Sequence, residues 1–524
     1  MSAQQDYNAI SSLLEDQHLH TTPMYHERTL EYIQPTSLGP YTSFIEFNLS
    51  SLASRFTDFS KAFLQIPFTI LPGAGTFKTV PFPALAFKSS FASFIAGIYL
   101  KDGRNTPLVD DRTSGAFANH IRMCIENDAS FTITRGPQIG FAMDKSAKQV
   151  RSLTTVAQIQ YPNVSQYSDV PKVGVADSAI LNGDSLAYNA GFAERVSYLQ
   201  DTTVSAGGVI FTQPSGATTY VNGINGVFNM PLSYLHSFFK QLDFPITGLS
   251  LTLQIMLNTT VNSGGFCPVS LGSTSINAGV NVPDSGDVGL SGAGVVQPSN
   301  ISVIVTKGDV APRLYYHAVE FSAVDGRRAL EQLSKGYVKT IRYQQYDVIN
   351  SSQQLNQVAG KSLTHTITPS VLAPRRVFIL CHPAGVVNTS SWPSVLCTGP
   401  FGLSQMQLLV NNKPLFRAPL DTLGEQYAML QSAMGVSSDD GDESRSLISF
   451  SDFQRNTRLI CLDMSRLTSI IPDPNVPLSL ILTATPVAPG PMDIVYIVQR
   501  DVEVKMSFGA GRDTAVSVSP ATLV

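Results

Sequence analysis

Charge is the scarcest property of this 524-residue chain. Asp, Glu, Lys and Arg make up 14% of it, against roughly 25% in an ordinary soluble domain, and 35 Lys+Arg against 39 Asp+Glu leave a formal net charge of -4. No basic cluster is present, the amino-terminal MSAQQDYNAISSLLEDQHLH included. The electrostatic footprint of a protein that grips a phosphate backbone is therefore missing, and no specific nucleic-acid binding is expected. No apolar run approaches the roughly 18 residues of a membrane helix, and the start of the chain lacks the basic and apolar regions of a signal peptide, which points to a protein made and kept in the cytosol or nucleus. The five cysteines, Cys124, Cys267, Cys381, Cys397 and Cys461, form no close pair and are odd in number. That disfavours a disulfide framework or a zinc cluster, and they read as reduced and structural. Trp392 is the sole tryptophan, which weakens a carbohydrate-groove reading.

What replaces charge is Ser, Thr, Asn and Gln, with 38 Gly and 32 Pro, the make-up of many short strands joined by turns and long loops. A neutral surface also loses little when packed against a neighbour, because few charges must be desolvated. The length exceeds what one core usually serves, so several domains are expected.

One passage is written twice. From Gly248 the chain alternates, with Leu249, Leu251, Leu253, Ile255 and Leu257 on one side and Ser250, Thr252, Gln254 and Met256 on the other; Leu478, Leu480, Leu482 and Ala484 repeat the pattern against Ser479, Ile481, Thr483 and Thr485. Period two predicts a strand with one buried face in each place. Both are preceded by a proline-marked segment and, before it, by a Met-containing stretch, MPLSYL at 230 and DMSRL at 463. Earlier still, FIAGIYLKDGRNTPL (94 to 108) and LSQMQLLVNNKPL (403 to 415) each give a strand, a polar turn and Pro-Leu, followed by a helical candidate: SGAFANHIRMCIEN from Ser114 and DTLGEQYAMLQSAMG from Asp421, the latter with Asp421 as cap and a terminal Gly435. Four matches in the same order imply a duplicated domain.

The expected organisation is all-β: two tandem eight-stranded jelly-roll β-sandwiches with short helices in the connecting loops. An amino-terminal arm takes residues 1–36; the first jelly roll spans 37–323, closing with RLYYHAVEFSA; VDGRRALEQLSKG gives a connecting helix over 324–337; the second jelly roll spans 338–510, opening with VKTIRYQQYDVIN at 338 to 350; and 511–524 forms a carboxy-terminal tail. Gly/Ser/Thr-rich loops, about 200–226 and 258–300, mark the outward, variable end of the first half.

No catalytic, cofactor-binding or metal-binding residues are assigned. AGKS at 359 to 362 ends like a phosphate loop, but Leu355 stands where the motif needs glycine. His18, His20 and His26 suit a flexible polar arm better than a metal site, and Asp439, Asp440, Asp442 and Glu443 lack the ligand spacing of a calcium loop. His236 and His317 fit structural roles within apolar segments. No Gly-x-Ser-x-Gly occurs, and paired acids for glycoside cleavage are not legible from spacing. The reading is of a non-enzyme.

The stretches MPLSYLHSFFKQLDFPITGLSLTLQIML and RLYYHAVEFSAVDGRRALEQLSKGYVKTIRYQQYDVI resemble the double jelly-roll major capsid proteins of the virophage and polinton-like virus group, with Met230 in place of the usual Ile of the first motif. The resemblance spans most of residues 40 to 510. It implies a homotrimer of six upright sandwiches with a pseudo-hexagonal outline, tiling an icosahedral shell around a double-stranded DNA genome, in a virion assembled in the host cytoplasm or nucleus. Its partners would be neighbouring capsomers, penton and minor capsid proteins, with a host receptor touched through the first-half loops. A glycan-binding sandwich or a host-attachment protein is the alternative.

Overall fold

The computed structural model describes residues 25–145, 189–200, 219–271, 290–291, 302–357, 361–383, 392–435, 446–464, 476–508 and 515–520, apart from short breaks within these spans. The first half contributes eight principal strands: β1 (Tyr25–Ile33), β2 (Phe44–Asn48), β3 (Phe56–Leu71), β4 (Ile95–Asp102), β5 (Pro107–Asp111), β6 (Ile224–Pro231), β7 (Leu251–Leu257) and β8 (Arg313–Phe321). The second contributes β9 (Tyr337–Gln357), β10 (Leu363–Val371), β11 (Pro374–Pro383), β12 (Leu403–Val410), β13 (Lys413–Pro414), β14 (Ile460–Asp463), β15 (Leu478–Pro486) and β16 (Gly490–Phe508).

All principal pairings are antiparallel. In the first half they build one sheet in the order β1-β8-β3-β6 and another in the order β2-β7-β4-β5; in the second the orders are β9-β16-β11-β14 and β10-β15-β12-β13. Adding eight to each label turns one half into the other. Each half is thus a sandwich of two four-stranded sheets with jelly-roll order, and the duplication inferred from sequence is a duplication of topology. Ser302–Val305 pairs with the far end of β3, on the same edge as β8.

The alternating passages are the counterpart strands β7 and β15, each in the middle of its sheet. Leu251, Leu253, Ile255 and Leu257 are buried, as are Leu478, Leu480, Leu482 and Ala484, while the intervening residues are half-buried. Full burial of a Leu or Ile is worth roughly 1.5–3 kcal/mol, and a one-residue slip would turn the whole set outward, so the pattern fixes the register. The first core is aromatic, with Phe91 stacked on Phe228 at 5.4 Å and Phe68 edge-on to Phe87 at 5.2 Å. The Met-containing stretches prove to be strand ends, since Met230 and Pro231 close β6, and Asp463 and Met464 close or follow β14. Both methionines are fully buried.

Two further matches are the strand-turn-Pro-Leu passages, which form the hairpins β4–β5 and β12–β13. In the second hairpin Asn411 and Asn412 have φ of 48° and 64°; asparagine tolerates the left-handed region that a two-residue hairpin turn requires. Gly97 in β4 is needed for closeness, because a Cβ there would sit 2.0 Å from the Asp111 carbonyl.

Helices occupy the loops: α1 (Gly115–Glu126), α2 (Ala190–Gln200), α3 (Leu423–Met434) and α4 (Phe450–Arg455). The expected cap of α3 shifts by one residue. Thr422, not Asp421, is the N-cap, its hydroxyl accepting from the Glu425 N–H while the Glu425 carboxylate accepts from the Thr422 N–H. Thr-x-x-Glu completes a reciprocal capping box, which Asp421 with Gly424 at its third position could not. Gly435 ends the helix at φ 72° as expected.

Three segment boundaries differ from expectation. Residues 25–33, placed in the amino-terminal arm, form β1, and residues 515–520, placed in the tail, pair with β16 at Val502 to Ser507. The opening strand of the second half runs past 350 to Gln357. The connecting segment is helical at 324–327 and at 331. The loops at 200–226 and 258–300 lie mostly outside the described residues. Their described parts meet, as Thr219–Tyr220 and Leu290–Ser291 both pair with Thr76–Lys78, which gathers three loops at one end of the first sandwich.

Candidate assembly interface

The residues that hold the two halves together form the most extensively built site among the described residues. Strand β11 carries the run Val377, Phe378, Ile379, Leu380, Cys381, every one buried. In a strand, neighbours point to opposite faces, so both faces of this sheet are covered. Val377, Ile379, Cys381, Ile494 and Tyr496 belong to the core of the second sandwich. Phe378, Leu380, Val495, Ile497 and Cys461 belong instead to a core continuous with that of the first sandwich. A near-continuous apolar run is the signature of a sheet buried on both sides.

The first half covers that outer face with its own loop elements. A short helix at Ser237–Lys240 lies against β9: the Ser237 hydroxyl donates to the Gln344 carbonyl at 2.5 Å and accepts from the Gln344 N–H at 3.2 Å. The ring of Tyr343 meets His236 at 5.3 Å and Phe238 at 5.6 Å. From the other side the Tyr343 hydroxyl donates to the Leu108 carbonyl at 2.6 Å, and the Gln345 amide donates to the Asp110 carbonyl at 2.8 Å. These two carbonyls belong to β5, the edge strand of its sheet, so the second half seals the first half's open edge. Phe117 of α1 faces His382 of β11 at 6.4 Å, and the Val395 N–H donates to Ser89, itself at φ 65°.

Buried titratable groups gather around this junction. Burial pulls the pKa of His236 down to about 3, with Arg122 adding to the effect, and those of His120 and His382 down to about 4, so these imidazoles are neutral at pH 7. Burial also lowers Lys88 to about 8. His120 lies against the Ala116 carbonyl, which assigns the proton to Nδ1; Nε2 then accepts from the Ser90 hydroxyl at 2.7 Å. A serine beside a histidine has the outline of a nucleophile and base. Here both are fully buried, and Ser90 also caps the short helix Phe91–Phe94 by accepting from the Ala92 N–H, so the pair anchors α1 to the short helix that leads into β4. The ion pair Arg195–Asp144, 2.7 Å and buried at both ends, is completed by Asn189, which donates to the same carboxylate oxygen, and by Arg195 donating to the Phe87 and Ala142 carbonyls.

Of the residues singled out from sequence, His236 lies in this junction; its Nδ1 accepts from the Phe238 N–H at 3.1 Å. His317 sits on β8, away from the junction, near the Arg28–Asp58 pair. Lys361 and Ser362 are exposed, and the Trp392 indole donates to the Cys397 carbonyl at 2.6 Å. His18, His20 and the acidic turn at 437–444 lie outside the described residues, while His26 is in β1. The five cysteines are buried and in no disulfide. No group of three metal-ligating side chains occurs among the described residues. Sequence reasoning missed the junction itself, although VFILC (377 to 381) and IVYIV (494 to 498) carried the signal.

No protein-family model matches the chain, and comparison with curated proteins returns no relative. Solved structures do match. A chain of the cryo-electron-microscopy structure of the Sputnik virophage superposes with a TM-score of 0.54 at 13% identity, covering 97% of this chain and 91% of that one. The mavirus major capsid protein superposes with a TM-score of 0.54 at 12% identity, covering 97% and 93%. With the strand orders of both halves on the page, the likeness is one of fold: this chain is a double jelly roll, two like-ordered sandwiches in one polypeptide, as in the virophage capsid structures.

Proposed function

We propose that the chain is a major capsid protein whose homotrimer presents six sandwiches in a pseudo-hexagonal outline and tiles an icosahedral shell around a double-stranded DNA genome. The observation that carries this reading is the pairing of two sandwiches of identical strand order through a sheet buried on both faces. A lone binding module needs one sandwich; a tile that must meet equivalent neighbours gains from two, since each chain then supplies two of six near-equivalent positions. Closed cyclic assembly is the usual outcome for a protein of one chain type. The likeness in fold to the mavirus major capsid protein supports the same reading, and low charge lowers the desolvation cost of broad contacts. Neighbouring capsomers, penton and minor capsid proteins are the partners this reading requires, with the loops gathered at one end of the first sandwich placed for contact with a host receptor.

Light scattering and negative-stain microscopy of the purified protein test it. A species of three times the 56.5 kDa chain mass, with a six-sided outline and a tendency to form flat lattices, is expected. A protein that remains a single chain at every concentration, and binds a saccharide as such, overturns it.

A further inference from the structure

One residue at the junction both ends a helical turn and begins the next. His236 is extended, with φ -155° and ψ 140°, and joins the single-turn helices Leu232–Leu235 and Ser237–Lys240. Its N–H donates to the Leu232 carbonyl at 3.0 Å and closes the first turn. Its Nδ1 accepts from the Phe238 N–H at 3.1 Å and opens the second. Helices are usually capped by Ser, Thr, Asn or Asp, whose side-chain oxygens keep a lone pair whatever the pH. An imidazole nitrogen accepts only while it carries no proton, and imidazolium is a donor at both nitrogens.

The contact between the halves follows directly on this cap. Ser237 opens the capped turn, and its hydroxyl donates to the Gln344 carbonyl and accepts from the Gln344 N–H. Strand β9 is the edge of its sheet, so this one side chain takes the place of a neighbouring strand at Gln344. Phe238, whose N–H the cap holds, sets its ring on Tyr343 at 5.6 Å. Cap, bridge and ring contact are consecutive residues, so loss of the first frees the other two.

The surroundings do not stabilise a charged imidazole. His236 is 3% exposed, and its Nε2 has no hydrogen-bond partner among the described residues. From α1, Arg122 donates to the Ser233 carbonyl at 2.6 Å and opposes a second cation beside it. Glu126 of the same helix is shared between Arg122 at 3.8 Å and Lys240 at 2.9 Å. From β9, Tyr343 presents its ring to His236 and gives its hydroxyl proton to the Leu108 carbonyl. On β3, Asp58 and Lys61 lie beside His317 instead.

We propose that His236 is an acid-sensitive latch between the two sandwiches: a proton on Nδ1 sets two N–H groups against each other, Phe238 loses its acceptor, and the turn that bridges to β9 lifts away. The closed latch holds His236 neutral, with its pKa pulled down to about 3, while the released side chain titrates at the ordinary 6.5. The open form therefore binds the proton more readily, and the latch is closed above about pH 6.5 and opens progressively as pH falls toward 3. The device goes beyond the capsid reading and does not depend on it, since cap and bridge lie within one chain.

Hydrogen exchange of the full chain at pH 7 and pH 5 tests it. Protection is read at the amides of 237–241 and of Gln344 by mass spectrometry with electron-transfer fragmentation, relative to the intrinsic exchange rate at each pH. Wild type is expected to lose about 25-fold in protection at these amides between the two pH values. His236→Asn, whose side-chain oxygen caps the turn without titrating, is expected to keep its protection. A wild-type change below about threefold overturns the latch, and so does an equal loss in His236→Asn, which would place the response elsewhere. Should His236→Asn fail to fold, Ser237→Ala carries the comparison. Without the bridge, Gln344 is expected to exchange near the unprotected rate at both pH values; protection that remains there and still falls with pH overturns the proposal.

Discussion

Phe378 gives the sharpest test of the junction. It is fully buried, yet it points away from the core of its own sandwich. Truncation to alanine removes most of an aromatic side chain that buries roughly 150 Å² or more; at about 25 cal/mol per Å² this is about 4 kcal/mol, within the ~3–5 kcal/mol seen for Phe→Ala in packed cores. Urea unfolding, followed separately by tryptophan fluorescence and far-ultraviolet circular dichroism, measures it. Trp392 reports on the second half near the junction, and circular dichroism reports on both halves. The expected result is a fall in midpoint of the same size by both probes, because the two halves share one core. A loss below about 1 kcal/mol, or transitions that separate in wild type, would refute the view that the halves are fused through this sheet.

Asp144→Ala leaves the Arg195 guanidinium buried without its carboxylate, and about 3–5 kcal/mol of destabilisation is expected, read as a lowered melting temperature; a change under about 1 kcal/mol contradicts the role given to the pair. Thr422→Ala breaks the capping box and is expected to cost about 1 kcal/mol, with faster hydrogen exchange in the first turn of α3, whereas Asp421→Ala leaves both nearly unchanged. His120, His236 and His382 have folded pKa values of about 4, 3 and 4, below the ordinary 6.5. The unfolded chain therefore binds more protons between these values, and stability falls as pH drops from about 6.5 toward 4. Denaturant midpoints across that range check the sign, and His382→Gln is expected to flatten the slope.

Much of the fold was legible because the central strands β7 and β15 face a core on one side and a polar surface on the other, and the sequence alternates accordingly. The hairpins and helices were legible from Asn-Asn, Pro and Gly at fixed places. Strand β1 was not, because its apolar residues face outward and Glu31 faces in, so YHERTLEYI reads as a polar arm. Nor was the junction legible. The run VFILC is apolar at every position, and periodicity alone cannot say which of its side chains serve the second core and which the first.

The sealing of the Leu108 and Asp110 carbonyls bears on how copies of this chain behave when crowded. A bare outer strand invites any passing segment to zip onto it and extend the sheet without limit. The first half has that row of acceptors occupied by Tyr343 and Gln345, and the second ends its corresponding sheet in two residues, one of them a proline with no N–H to offer. Fibre-like growth is thus obstructed at both rims, and packed copies meet flank to flank through side chains, a contact that can stop growing once its geometry is satisfied.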